Sequence, residues 1–240
     1  MYKLVFVRHG ESEWNRKNLF TGWTDVGLTP EGELDARMMG ETLNEMGFQF
    51  SLGYTSVLKR AGITLEIISE ELNGPHMVIV KDWRLNERSY GKLQGKSKIE
   101  IVDELDWEQV HAYRRSYHTQ PPMLESDDPR HPINDEKYDE VDRDLLPSGE
   151  SLKDTYDRVV PYLKNTLLPS LHTHHNILVS AHGNTLRVIR KYLDNLSDNE
   201  IEGVEFGIGE ILIYTLDENL DVVQTEHFSA KEYPKYGKDL

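Results

Sequence analysis

The sequence predicts a single α/β domain over residues 1–240, with a mostly parallel central sheet of about six strands, one of them antiparallel, and helices on both faces. Two observations predict it. Short apolar runs alternate with amphipathic helical patterns along the chain. Two of those runs, in "LVFVRHGES" (Leu4–Ser12) and "ILVSAHGNT" (Ile177–Thr185), each end at a His-Gly pair followed closely by a small polar residue. Such apolar runs read as buried strands, and open α/β sheets bind ligands where their strands end.

Taken in order, the strands are expected at Lys3–Val7, Leu52–Thr55, Met77–Val80, Asn176–Ser180, Glu210–Leu216 and Val222–Phe228. After the first, Thr29-Pro30-Glu31 is a helix start: a capping hydroxyl, a proline in the first turn and an acid at the positive end. Ala36, Met39, Leu43 and Met46 follow at helical spacing, and Gly47 is the stop. A second helix carries Ala61, Leu65, Ile68 and Leu72 on one face and ends near Asn73-Gly74. Helices are also expected from Ser151 to Leu168 and from Thr185 to Leu196, with "HTHH" (His172–His175) as an exposed turn. The Pro-, Asp- and Glu-rich stretch Gln120–Pro147 is too long for an ordinary connection. It reads as part of an ordered insertion or lid around 112–147 beside a site, and a short tail covers 229–240. No linker interrupts the chain.

The net charge is −15, from 27 basic and 42 acidic side chains. That balance argues against nucleic acid or an anionic membrane as the main partner, since both need a basic face. The acidic residues crowd into Asp103–Glu108, Glu125–Asp144 and Asp194–Glu205, read as solvated surface. No apolar run approaches the ~20 residues of a membrane-spanning helix, and a strand is expected almost at the N-terminus. The absence of cysteine excludes disulfides and thiolate chemistry. These features lead to the expectation of a cytoplasmic protein.

Two histidines at two strand ends are compatible with a metal pair, with a nucleophile and its helper, or with coincidence. The metal reading lacks partners at ligand spacing such as H-E-x-x-H. Phosphate suits the surroundings better. Arg8 precedes His9, Ser12 and Asn15 follow within a turn, and Asn184 sits where a helix begins after Gly183, offering donors to an anion.

The chain resembles the histidine phosphatase superfamily and, within it, the cofactor-dependent phosphoglycerate mutases. The resemblance runs nearly end to end, through "RHGESEWN" (Arg8–Asn15), "FTGWTDVGLT" (Phe20–Thr29), "YTSVLKRA" (Tyr54–Ala61), "LNERSYGKLQG" (Leu85–Gly95), "RRSYHTQPP" (Arg114–Pro122) and "AHGNTLR" (Ala181–Arg187). The first and last belong to the whole superfamily; the middle blocks are more specific to the mutases. A phosphoglycerate mutase-like fold is what the resemblance implies.

It further implies that His9 is a nucleophile forming a phosphohistidine, with Arg8, Arg60 and His182 stabilising the transferring group and Glu87 trading a proton with the substrate hydroxyl. Neutral imidazole suits the first role, provided its other nitrogen is held as a donor. Arg114 and Arg115 would clamp a carboxylate with planar forks. Lys98, Tyr90, Thr21 and Gly22 would add further contacts. The implied binding set also includes Gly10, Glu11, Ser12, Glu13, Trp14, Asn15, Arg88, Ser89, Gly183 and Asn184.

The implied reaction interconverts 3-phosphoglycerate and 2-phosphoglycerate in glycolysis and gluconeogenesis, primed by the cofactor 2,3-bisphosphoglycerate, with no metal. The implied partners are small phosphorylated three-carbon acids and further copies of the chain, as a homodimer or homotetramer. A phosphoglycerate carries about three negative charges and its bisphosphate about five. Arg8, Arg60, Lys98, Arg114 and Arg115 are comparable in number. The alternative is a bisphosphoglycerate or broad-specificity phosphatase using the same phosphohistidine. Two departures from the mutase pattern bear on that choice. Ile208 and Glu210 in "FGIGEIL" (Phe206–Leu212) replace expected residues, and the short tail gives less cover against water.

Overall fold

The computed structural model describes residues 1–74 and 76–232. Six strands form one sheet: β1 (Tyr2–Arg8), β2 (Leu52–Thr55), β3 (Val78–Lys81), β4 (Asn176–Ala181), β5 (Glu210–Leu216) and β6 (Val222–Ser229), in the order β3-β2-β4-β1-β5-β6. All neighbouring pairs are parallel except those of β5, which runs against both β1 and β6. The expected fold class is therefore observed, with each strand within one residue of its expected limits. Residues 233–240, most of the expected tail, lie outside the described residues.

Alternation along β1 divides the core in two. Leu4 and Phe6 point to one face, where they meet Leu152, Val159, Leu186 and Ile189; Val5 and Val7 point to the other, against Met39, Leu43, Leu65 and Ile68. Burial on both faces explains why β1 and β4 read as unbroken apolar runs.

Eight α-helices surround the sheet among the described residues: α1 (Glu13–Arg16), α2 (Pro30–Glu45), α3 (Lys59–Glu71), α4 (Glu100–Glu104), α5 (Trp107–Arg115), α6 (Leu152–Tyr162), α7 (Leu168–His174) and α8 (Gly183–Leu193). α2 starts as its sequence dictates, with Thr29 Oγ1 accepting from Gly32 N at 3.1 Å. It ends before Gly47, whose φ of +78° suits glycine.

One expectation is corrected. The 151–168 helix does not stop at Leu168: α6 passes through a π-helical stretch, Leu163–Leu167, into α7. "HTHH" is accordingly no free turn. Buried Leu168 and Leu171 carry the helix on, and His172 and His174 sit on its last turn, their Nδ1 atoms 3.1 Å from Tyr2 Oη and 2.8 Å from Ser51 Oγ. The acidic run Asp103–Glu108 is solvated as expected, its acidic side chains exposed. The two short helices on which it lies, α4 and α5, were not expected, and they bury Ile101, Val110 and Tyr113 against Phe20 and Leu93.

Within 120–147, 3-10 turns at Pro132–Asn134, Glu136–Tyr138 and Arg143–Leu145 fold back so that Tyr138 and Leu146 pack on Trp23. Among the described residues no helix is long and apolar enough to cross a membrane.

Candidate active site

β1 and β4 lie side by side in parallel, with Arg8 opposite Ala181. Both therefore release their histidines at the same sheet edge, and His9 N still bonds Ala181 O at 3.1 Å. The rings of His9 and His182 come within 5.0 Å, centroid to centroid, at 63°.

His9 Nδ1 lies 2.7 Å from Gly10 O, so it must carry the ring proton, leaving Nε2 as the lone-pair atom. Burial, with Arg60 and Arg8 alongside, holds this imidazole well below its ordinary range and hence neutral at pH 7. The Gly10 carbonyl is placed by close backbone packing. A Cβ on Gly10 would lie 2.0 Å from Gly32 O, so only glycine lets the turn after β1 settle on the start of α2.

His182 is buried, and its Nε2 lies 2.7 Å from Ser56 Oγ. Leu58 N donates to that same oxygen at 3.2 Å; with the hydroxyl proton directed at Nε2, the ring proton sits on Nδ1. Nδ1 is buried with no protein partner. Burial is again the main cause that keeps this ring well below its ordinary range, followed by Arg60 and His9.

Two arginines flank the pair. Arg60, in the first turn of α3, donates to Gly22 O at 2.8 Å and Thr24 O at 2.9 Å. Burial lowers it to about 10, still charged at neutral pH. Arg8 donates through Nη1 to Phe206 O at 2.5 Å, while its buried Nε has no protein partner. Opposite them, Glu87 Oε1 accepts from Arg88 N at 2.7 Å and from Asn184 N, in the first turn of α8, at 3.2 Å. Asn184 Nδ2 donates to Tyr90 Oη at 3.1 Å. Burial pushes the Tyr90 phenol up, but Arg88, 4.6 Å from the ring centre, brings it below its ordinary value.

The far end of the site is cationic as well. Buried Arg88 and Arg187 donate to the last carbonyls of α5: Arg88 to Tyr113 O at 2.6 Å, and Arg187 to Arg114 O at 3.3 Å and Arg115 O at 3.2 Å. Cations at a helix C-terminus are favourable, and here they fix the backbone that carries Arg114 and Arg115.

These groups enclose a cleft of about 280 Å³. Of the sequence-predicted residues, Arg8, His9, Asn15, Thr21, Gly22, Arg60, Glu87, Tyr90, Lys98, Arg114, Arg115, Gly183 and Asn184 line it, with the His182 ring 5.0 Å from that of His9. The others do not. Gly10 holds His9; Glu11 pairs with Arg16 at 2.6 Å; Ser12 caps α1; exposed Glu13 begins that helix; Trp14 lies against Gly95. Arg88 braces α5, and Ser89 N donates to Glu150 Oε2 at 2.7 Å. Leu19, Arg187, Glu205, Phe206 and Gly207 line the cleft without having been singled out. Arg187 had a signal, one turn after Asn184 in "AHGNTLR", and it bonds Asn184 Oδ1 at 2.9 Å; Phe206 and Gly207 open the block "FGIGEIL".

Residues 4–130 and 127–226 match the model of the histidine phosphatase superfamily, branch 1. The chain belongs to this superfamily. Solved structures share its fold. A mycobacterial glucosyl-3-phosphoglycerate phosphatase in complex with VO3 is 19% identical, with a TM-score of 0.72 over 95% of this chain and 97% of that one. Bacillus stearothermophilus YhfR is 22% identical, with a TM-score of 0.68 over 92% and 93%. A protein described as mycobacterial hydrolase 1 is 19% identical, with a TM-score of 0.72 over 94% and 96%. In superfamily terms the arrangement is a neutral imidazole with a free Nε2, set among cations. It is suited to forming a bond with electrophilic phosphorus.

Proposed function

We propose that this histidine phosphatase superfamily member interconverts 3-phosphoglycerate and 2-phosphoglycerate, primed by 2,3-bisphosphoglycerate. One observation carries the reading. The lone pair of neutral His9 opens on a cleft with cations at both ends, Arg8 and Arg60 near the histidines and Lys98, Arg114 and Arg115 beyond them. The mutase-specific sequence blocks support it.

The residues fit a bisphosphorylated acid. Arg8 Nε and His182 Nδ1 are buried polar atoms without protein partners, on a cleft-lining arginine and on a ring 5.0 Å from that of His9. Such groups call for an acceptor, and phosphoryl oxygens would supply one. When bound, 2,3-bisphosphoglycerate supplies the phosphoryl group. His9 Nε2 then forms the N–P bond as the P–O bond breaks, and Glu87 gives its proton to the departing oxygen. In the return step, Glu87 takes the proton of an acceptor hydroxyl as that oxygen bonds phosphorus and the N–P bond breaks. Arg8, Arg60 and His182 hold the developing charge throughout. Arg114 and Arg115 would orient the carboxylate end.

A phosphatase using the same His9 is the second reading, favoured by the glucosyl-3-phosphoglycerate phosphatase among the similar folds. There water takes the place of the acceptor hydroxyl. Incubation with labelled 2,3-bisphosphoglycerate should give acid-labile, alkali-stable label, absent from His9→Ala. Turnover of 3-phosphoglycerate that depends strongly on the bisphosphate, with little free phosphate, is the mutase result. Stoichiometric phosphate release with no 2-phosphoglycerate would establish the phosphatase instead.

A further inference from the structure

Two carboxylates line this cationic cleft, and only one has a part in the transfer. Glu87 is held by backbone donors beside Arg8 and the histidines. The other, Glu205, is 70% exposed at the cleft wall and ion-paired with Arg115, which is itself only 23% exposed. Its backbone is anchored through the next residue, since Phe206 O accepts from Arg8. A second anchor lies behind: Glu210 Oε2 meets His227 Nε2 at 2.8 Å, and the His227 ring packs 5.0 Å from that of Phe206. The Glu205 carboxylate is therefore presented to the cleft by a braced strand entrance.

We propose that Glu205 is a charge gate: it competes with the substrate's anionic groups for Arg115 and discriminates against more highly charged acids in favour of monophosphorylated ones. The assignment rests on the reading of the cleft as a phosphoglycerate site. To engage Arg115, a ligand anion must displace Glu205 and then lie beside a carboxylate that has lost its cation. That repulsion grows with ligand charge, about three for a phosphoglycerate and five for the bisphosphate. Being exposed, the carboxylate acts through solvent, so salt must weaken its effect.

Calorimetric titration with 3-phosphoglycerate and with 2,3-bisphosphoglycerate tests the gate on the wild type, Glu205→Gln and Glu202→Gln. The last removes the same charge from an exposed residue three positions away that is not part of the cleft lining. At low salt, Glu205→Gln should tighten 3-phosphoglycerate about threefold, the scale of an exposed ion pair, and the bisphosphate about tenfold. Glu202→Gln should change neither, and salt of about 0.5 M should close the gap. Equal factors for both acids, no change at all, or the same gain from Glu202→Gln would overturn the gate alone. Failure of both acids to bind the wild type would overturn the reading of the cleft and the gate with it.

Discussion

Ser56 Oγ lies 2.7 Å from His182 Nε2, so a hydroxyl on the loop after β2 holds a ring delivered by β4. When the hydroxyl donates to Nε2, Nδ1 of His182 carries the ring proton, on a ring 5.0 Å from that of His9. Ser56→Ala removes the partner and frees the imidazole to take either tautomer. We expect kcat to fall about tenfold, the worth of one buried hydrogen bond, with KM nearly unchanged. Ser56→Thr, which keeps the hydroxyl, should restore most of it. Steady-state kinetics on the three proteins decide; an unchanged kcat in Ser56→Ala would remove the tautomer role.

Acid should destabilise the fold through the same two rings. His9 and His182 resist protonation when folded, held below their ordinary range by burial first and by neighbouring positive charge second. Below about pH 6.5 the unfolded chain binds protons there that the folded chain does not, so stability falls as pH falls. Above that pH the two rings add no slope. The expected loss is roughly 1.4 kcal/mol per pH unit for each histidine until its folded value is reached. Urea unfolding at a series of pH values measures it, and His182→Gln should remove about half of the slope assigned to the pair.

Glycine at position 10 is required by space, glycine at 47 by backbone angle. Gly10→Ala would drive a Cβ to 2.0 Å from a backbone oxygen of Gly32, and neither backbone can yield without moving α2 or the turn that holds His9. A loss of about 3 kcal/mol or more is expected, with activity falling in parallel. At Gly47, with φ +78° and nothing within 4 Å of a built Cβ, alanine should cost only about 1 to 2 kcal/mol and leave activity intact. Comparable losses at both sites would contradict the packing argument.

Arg158 and Glu150 form a buried ion pair at 2.8 Å that holds the loop carrying Glu87. Arg158 also donates to Arg84 O at 2.8 Å and Asn86 O at 3.3 Å, and Glu150 Oε2 accepts from Ser89 N at 2.7 Å. Arg158→Ala leaves a buried carboxylate without its cation, and a loss of about 3–5 kcal/mol is expected. Combining it with Glu150→Gln should recover a sizeable part, read from a double-mutant cycle in denaturant. Strict additivity of the two substitutions would show that they do not act as a pair.

The sheet was legible because β1 and β4 are covered on both faces and so carry continuous apolar runs, and His9 and His182 were legible because those runs stop at them. The stretch from Gly10 to Trp14 was over-read, since closeness in sequence is not closeness to the cleft. Ser12 caps α1 there and turns the chain away, sparing only Asn15. Phe206 and Gly207 lay in the departing block "FGIGEIL" but were not placed at the cleft, and Glu205 carried no signal, because this segment reaches the site only through the pairing of β5 with β1, a contact no local pattern encodes. α4 and α5 were missed for a related reason. Helices this short are not stable on their own pattern and depend on burying Ile101, Val110 and Tyr113.

The strand order has a consequence for how the molecule assembles. β4 lies between β1 and β2, and β1 pairs only with β4 and β5. During synthesis, the first strand must wait for residues 176–181 before gaining any neighbour, while β2 and β3 can already pair. Closure over so long a stretch makes folding slow. It also means that a nascent chain halted in the middle holds His9 on a strand belonging to no sheet, so the cleft cannot exist before the scaffold is whole.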